Sequence, residues 1–421
     1  MQADVIIVGA GLSGLACALT LRERGLRPLI IEASDGVGGR VRTDLHRGFR
    51  LDRGFQVLQT WYPEARRLLD YGALDLRPFH PGALIRFEGR FHRVSDPLRR
   101  PLRLPEMLAS RVGSAGDKLR LLALRRRALS GGLEELYRRP ETDALSLLTS
   151  LGFSRRMIER FFKPFFAGVF FEPELQVSSR AFEFVFRAFA LGDTALPARG
   201  MGEIPTQLAL RLPADTIRLG TRAEYVRSGE VGLAGGGSVR GRAVVVATDC
   251  TDAARLLGEE AKPGTRGTTC FYFAAERAPV QGPYLVLNGT RRGPINSLLC
   301  PSSLSEHYAP PGRSLVTVNL FGAHREPEAL ETELRRELTG WFGTQAADWE
   351  RLAVYRLPRA LPVQAPPVNW PAATEGRVAE ALWVAGERDR APSTHWALAT
   401  GCRVANSVAD AVRGRPRAGT G

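Results

Sequence analysis

The chain has 421 residues, 44% hydrophobic and 24% charged, with five cysteines and a formal charge of +14. At about 150 residues per domain this length predicts two to three domains, and the composition excludes a disordered chain, a collagen and a disulfide-stapled miniprotein. No run approaches the roughly 18 to 20 apolar residues of a membrane span, and the opening Met1-Gln2-Ala3-Asp4 does not read as a signal peptide. Cys17, Cys250, Cys270, Cys300 and Cys402 are scattered without a C-x-x-C pair, so neither a zinc site nor a disulfide framework is expected. These features predict a cytoplasmic, enzyme-sized protein.

The first elements form one unit. Asp4-Val5-Ile6-Ile7-Val8-Gly9 reads as a buried parallel strand. Gly9-Ala10-Gly11-Leu12-Ser13-Gly14 then opens a helix that runs to about Arg24, where Gly25 supplies the stop, and Pro28-Leu29-Ile30-Ile31-Glu32 forms the second strand. This is a βαβ unit with G-x-G-x-x-G at its helix start. Gly9 permits the tight turn, Gly11 the approach of a pyrophosphate, and Gly14 close packing of helix on strand. The helix N-terminus supplies N–H groups and a positive dipole to the anion, and Glu32 stands where a carboxylate holds ribose hydroxyls. Dinucleotide binding follows.

The next segment, Glu32-Ala33-Ser34-Asp35-Gly36-Val37-Gly38-Gly39-Arg40-Val41-Arg42-Thr43, resembles the signature of the FAD-dependent amine oxidase superfamily, which includes amine oxidases, protoporphyrinogen oxidases and phytoene- and carotenoid-type desaturases. The resemblance implies that Gly38 and Gly39 turn the chain tightly and that Arg40 neutralises the FAD pyrophosphate. It also implies that Gly54, in Leu51-Asp52-Arg53-Gly54, passes beside the flavin ring. Further along, Ala223-Glu224-Tyr225-Val226 is similar to the strand whose backbone meets adenine, at Val226, and Ala243-Val244-Val245-Val246 to a late strand of the FAD domain. Leu382-Trp383-Val384-Ala385-Gly386-Glu387 is similar to the last strand, with Gly386 and Glu387 near ribityl and phosphate groups. Ser393 to Gly401, including Ala397, resembles the helix start that faces the flavin pyrimidine.

The implied fold is α/β. Residues 1–60, 196–260 and 376–413 make a discontinuous Rossmann-like FAD-binding domain, residues 61–195 and 261–375 an inserted α+β substrate domain, and residues 414–421 a flexible tail. Between Phe161 and Phe189 lie ten of the twenty phenylalanines, which serve either as ordinary core or in part as the lining of an apolar tunnel. Residues 86–139 hold 14 Lys or Arg against six acids. That excess suits an anionic membrane surface or a merely solvated face. No nucleic-acid-binding motif accompanies it, so no nucleic acid is expected.

The six histidines show no metal-ligand spacing, so no metal is expected, and no catalytic acid or base is named. His395 alone sits in a flavin-proximal motif. The strand Thr268 to Phe273 lacks the lysine that many amine oxidases carry there, and Cys402 follows the final motif instead of preceding it, so the FAD is expected to be non-covalent. Trp396 stands where the family prefers glycine. The resulting expectation is an FAD-dependent desaturase or oxidase, peripheral to the inner face of the membrane, that takes hydride from an apolar, isoprenoid- or porphyrinogen-like small molecule to flavin N5. The alternatives are an amine oxidase releasing hydrogen peroxide and a non-catalytic lipid-binding protein on the same fold.

Overall fold

The computed structural model describes residues 3–95, 112–260, 264–324, 326–368, 376–386 and 392–414. Val5–Val8 is buried along its whole length and pairs in parallel with Pro28–Ile31 on one side and Ala243–Val246 on the other. All twelve of these residues are buried. A parallel strand covered on both faces needs such uninterrupted Val, Ile and Leu runs. Ile217–Arg218 extends the sheet beyond Pro28–Ile31, Leu382–Val384 extends it beyond Ala243–Val246, and Arg377–Ala379 closes that edge antiparallel. The sheet therefore draws strands from the beginning, middle and end of the chain. Its order reverses around Val5–Val8, and in open α/β sheets ligands bind in the crevice at the carboxyl ends of the strands beside such a reversal.

The first helix (Leu12–Glu23) packs against the last (Thr394–Arg413). Their closest approach is at Gly401, where a Cβ would lie 2.2 Å from Ser13 O and 3.1 Å from Cys17 N. The helix Pro63–Leu68 also packs on the last helix, so the chain returns to the helical layer beside the first sheet.

The second sheet has seven strands, in the order Glu350–Pro362, Thr265–Ala275, Ser314–Phe321, Ile295–Leu299, Leu285–Asn288, Gly82–Phe87 and Arg90–Ser95. All its pairings are antiparallel except Leu285–Asn288 with Gly82–Phe87. Side chains alternate faces along a strand, and Thr265–Ala275 shows the consequence. Phe271, Phe273 and Ala275 pack with Leu334, Leu338 and Trp349 on the outer face, whereas Cys270, Tyr272 and Ala274 join the main core on the inner face. Tyr272 is thus aimed back toward the nucleotide sheet.

The phenylalanine-rich stretch forms a helical layer over one end of this sheet. Phe162, Phe166, Phe170, Phe182 and Phe184 are core residues, and Phe161, Phe165, Phe171, Phe186 and Phe189 are half-buried. The helix Ala115–Leu129 is fixed to this layer by Glu183, which is 1% exposed and receives Arg127 at 2.7 Å and Arg139 at 3.0 Å. No helix among the described residues is long and apolar enough to cross a membrane.

Gly401→Ala forces a methyl into the backbone of the first helix. Overpacking of this kind costs about 1–3 kcal/mol, expected as a lower denaturant midpoint with unchanged slope in equilibrium unfolding.

Candidate active site

Two of the three glycines in the first turn answer to the protein's own packing. Gly9 has φ +107°, and a Cβ there would sit 2.8 Å from Ala247 O. A Cβ at Gly14 would sit 2.0 Å from Gly9 O. Gly11 is different. Its φ of −71° suits any residue, and a Cβ placed on it meets nothing within 4 Å. The space over Gly11 is empty although the backbone does not require it to be.

The helix that starts beside this space has no side-chain cap and no acidic residue in its first turn. Ser13 Oγ is buried there without a hydrogen-bond partner. Unpaired N–H groups, the helix dipole and an orphaned hydroxyl together form an anion site. Gly38 N donates to Ala10 O at 2.8 Å and Gly38 bridges Gly11, while a Cβ on Gly39 would lie 3.5 Å from Gly11 Cα. The second glycine-rich turn therefore faces the first. Arg40, exposed, donates from Nη1 to Ala360 O at 2.7 Å and so reaches the edge strand of the second sheet.

Glu32 accepts from Ala10 N at 2.7 Å, from Ser34 N at 2.8 Å and from Ser34 Oγ at 2.7 Å. These bonds hold its carboxylate at the end of the second strand, beside the crevice. Val226 lies in a separate three-stranded sheet, where it pairs with Val231, and it belongs to the same buried cluster as Val8 and Ile31. Gly386 (φ +115°) follows the strand Leu382–Val384, and its N–H donates to Thr400 Oγ1 at 3.1 Å. Glu387 lies outside the described residues.

Ala397 sits in the first turn of the last helix, its N–H donating to Ser393 O at 2.9 Å. The neighbouring Trp396 is 1% exposed and turns its indole away, donating from Nε1 to Tyr137 Oη at 3.0 Å. Its bulk therefore lies in the core and leaves the helix start accessible. His395 packs between Tyr62, Phe184 and Trp396. Burial pulls its pKa down to about 4, so the ring is a neutral core residue.

The chain's least expected feature lies next to the crevice, where Gly54 and its neighbours meet the inner face of the second sheet. Arg53 N donates to Arg42 O at 2.8 Å and Gln56 Nε2 to Arg40 O at 2.7 Å, which ties the turn at Gly54 to the second glycine-rich loop. A small cavity of about 10 Å³, room for roughly one water, opens beyond Gly54. Phe55, Leu196, Leu299, Pro301 and Leu315 supply its apolar lining, and Arg50, Asp52, Gln56, Tyr272, Tyr308 and Thr317 bring polar groups to it. None of the ten clustered phenylalanines lines it.

Asp52 is 8% exposed. Its Oδ1 accepts from Thr43 Oγ1 and from Met201 N at 2.8 Å, and its Oδ2 from Tyr308 Oη at 2.8 Å. Tyr272 Oη donates to Asp52 O and accepts from Gly54 N at 3.1 Å. Burial pushes the Asp52 carboxyl up to about 6 against the opposing pull of these donors. Reading the sequence singled out Gly54 in the Asp-x-Gly element and passed over Asp52, although a carboxyl two residues from a flavin-motif glycine was a usable signal. Tyr308 carried none.

A model of flavin-containing amine oxidoreductases matches residues 12–409. The chain belongs to that family. It is 34% identical over 118 residues to protoporphyrinogen oxidase 2 of Arabidopsis thaliana, a match covering 28% of this chain and 23% of that protein. It is also 33% identical over 78 residues to coproporphyrinogen III oxidase of Propionibacterium freudenreichii subsp. freudenreichii, covering 18% and 15%. The chain thus spans less than a quarter of these relatives' lengths. Among solved structures it is similar to cyclohexylamine oxidase of Brevibacterium oxydans (17% identical, TM-score 0.69, 97% of this chain and 99% of that one). It is similar also to an oxidoreductase of Methanosarcina mazei (17%, TM-score 0.70, 94% and 98%).

The architecture is the FAD-binding fold of that family, and FAD is its cofactor. The residues present fit the group: the empty space over Gly11, the uncapped helix and Ser13 suit its pyrophosphate, and Glu32 suits its ribose. Gly11→Ala separates ligand from fold. The variant is expected to melt like the parent without FAD, since nothing lies within 4 Å of the new methyl, and to bind FAD at least tenfold more weakly, about 1.4 kcal/mol. Apoprotein melting and a flavin fluorescence titration measure the two effects.

Proposed function

We propose that this protein is an FAD-dependent desaturase or oxidase acting on an apolar, isoprenoid- or porphyrinogen-like substrate. The observation that carries the reading is the cavity beside Gly54, whose walls are Phe55, Leu196, Leu299, Pro301 and Leu315. These side chains give an apolar substrate surface to pack against beside a few polar groups, the composition common to small-molecule sites. The strand Thr265–Ala275 presents Tyr272 to this space and contains no lysine, which counts against amine oxidation. FAD, when bound, supplies hydride acceptance at N5. The protein's own part is to bind and orient the substrate and to keep water from the reacting bond. Non-covalent attachment agrees with Cys402, which is buried beside Arg67 near the C-terminal end of the first helix.

An apolar substrate has to be collected, and the helix Ala115–Leu129 offers the surface for it. Leu119 is 70% exposed and Leu122 49%. Arg126 is exposed seven residues after Leu119, hence on the same face of the helix. Exposed leucines flanked by arginines fit the interface of an anionic bilayer. We assign this exposed face to a peripheral membrane contact.

Two measurements test the reading. Anaerobic addition of a detergent-solubilised polyene or a porphyrinogen is expected to bleach the flavin absorbance, and simple amines are expected to leave it unchanged; bleaching by amines alone overturns the assignment. Vesicles containing anionic lipid are expected to sediment with the protein in a salt-sensitive manner. Changing Leu119 and Leu122 together to Gln should weaken that partition at least tenfold, since each buried leucine contributes about 1.5–3 kcal/mol. Unchanged sedimentation removes the surface from the proposal.

A further inference from the structure

The carboxyl of Asp52 has no cationic partner among the described residues. Its three donors are a threonine hydroxyl, a backbone N–H and the Tyr308 phenol. The elements packed around it bring other titratable and charged groups close. Tyr272 faces it from the strand Thr265–Ala275, with Tyr355 behind at 5.0 Å between ring centroids. Tyr355 Oη donates to Asp44 Oδ2 at 2.7 Å, and Asp44 is in turn held by Arg53. Arg50 lines the same cavity but donates to His307 O at 2.7 Å. Arg50 and Arg53 thus bond to other groups, and Asp52 is the one carboxylate among the residues described as lining this cavity.

Oxidising a C–H bond by hydride loss also releases a proton from the substrate, and in an apolar cavity that proton needs a base. We propose that Asp52 is the proton acceptor coupled to flavin reduction in this cavity, with the Tyr308 hydroxyl relaying the proton to it. The step balances: the substrate loses a hydride, with its two electrons, to FAD and a proton to Tyr308 Oη, while Tyr308 passes its own proton to Asp52 Oδ2. The carboxylate becomes a neutral carboxyl, and it returns the proton to solvent when an electron acceptor reoxidises the flavin. The proposal rests on the reading that the redox-active ring of FAD faces this cavity.

The sign of the coupling follows from electrostatics. A carboxyl that burial raises to about 6 is largely ionised at neutral pH. Negative charge added nearby by reduction raises its pKa, so reduction loads a proton onto it at pH values above about 6. Below that pH the carboxyl is already protonated and takes up nothing further.

The test needs no substrate. The FAD-loaded protein is reduced photochemically without oxygen, and proton uptake per two electrons is read with an indicator dye as a function of pH. The parent is expected to take up as much as one proton more than Asp52→Asn at pH values above about 6, and the difference should vanish in more acidic buffer. Tyr308→Phe removes a donor that favours the carboxylate, so the window of extra uptake should move to higher pH. Equal uptake by parent and Asp52→Asn at every pH, with FAD absorbance retained in both, overturns the proposal and leaves the flavin oxidoreductase reading intact. If Asp52→Asn holds no FAD, Tyr308→Phe decides, and an unshifted window is the overturning result. A parent that binds no FAD overturns both.

Discussion

The structure depends on one unsatisfied feature, the free N-terminus of the helix Leu12–Glu23. The first N–H groups of any helix lack partners inside it, and evolution normally supplies a serine or aspartate to cap them. Here the N-cap is Gly11, and the first turn carries no acid. The glycines on either side cannot be replaced without collision, whereas the one between them faces open space. Such an arrangement leaves the helix waiting for an anion from outside the chain. The second glycine turn at Gly38 and Gly39, the reversal of strand order and the placement of Glu32 all follow from making room for that anion and its sugar.

What reading the sequence captured was local. The run Val5 to Val8 and the glycine spacing that follows it need only the covalent geometry of some thirty residues, and the structure forms them in register with Pro28–Ile31. Distant strands such as Ala243–Val246 and Leu382–Val384 were identified through the resemblance to a family, and both are buried throughout, as central parallel strands must be. The order in which these strands join was not readable. Nothing in Leu382-Trp383-Val384 by itself says that it sits beside Ala243–Val246 instead of at the opposite edge. Only the folded sheet shows it.

The phenylalanines show the opposite failure. Their density suggested either core or tunnel, and local periodicity had no means of choosing. In the structure five are core and five half-buried, while the cavity beside Gly54 takes its apolar wall from residues scattered between Phe55 and Leu315. Asp52 and Tyr308 were harder still. They are 256 positions apart, and their meeting depends on the second sheet folding back over the first. Trp396 misled for a related reason: a large residue in a motif position blocks the site only if its side chain points there, and the backbone of a helix start leaves it free to turn into the core.

The cavity combines two demands that oppose each other. The proposed apolar substrate would gain from the apolar lining through the area removed from water, yet that same lining makes an ionised carboxyl expensive. A protein selected for stability alone would have lost Asp52 or given it an arginine. Instead it surrounds the carboxylate with neutral donors, enough to keep it folded in place and too few to hold it firmly ionised, which is why its pKa stands near 6 rather than near 4. A carboxyl so poised changes charge with a small change in its surroundings. That property is of no use to a structural staple, and it is what a redox centre handling hydride in a dry space requires of a neighbouring base.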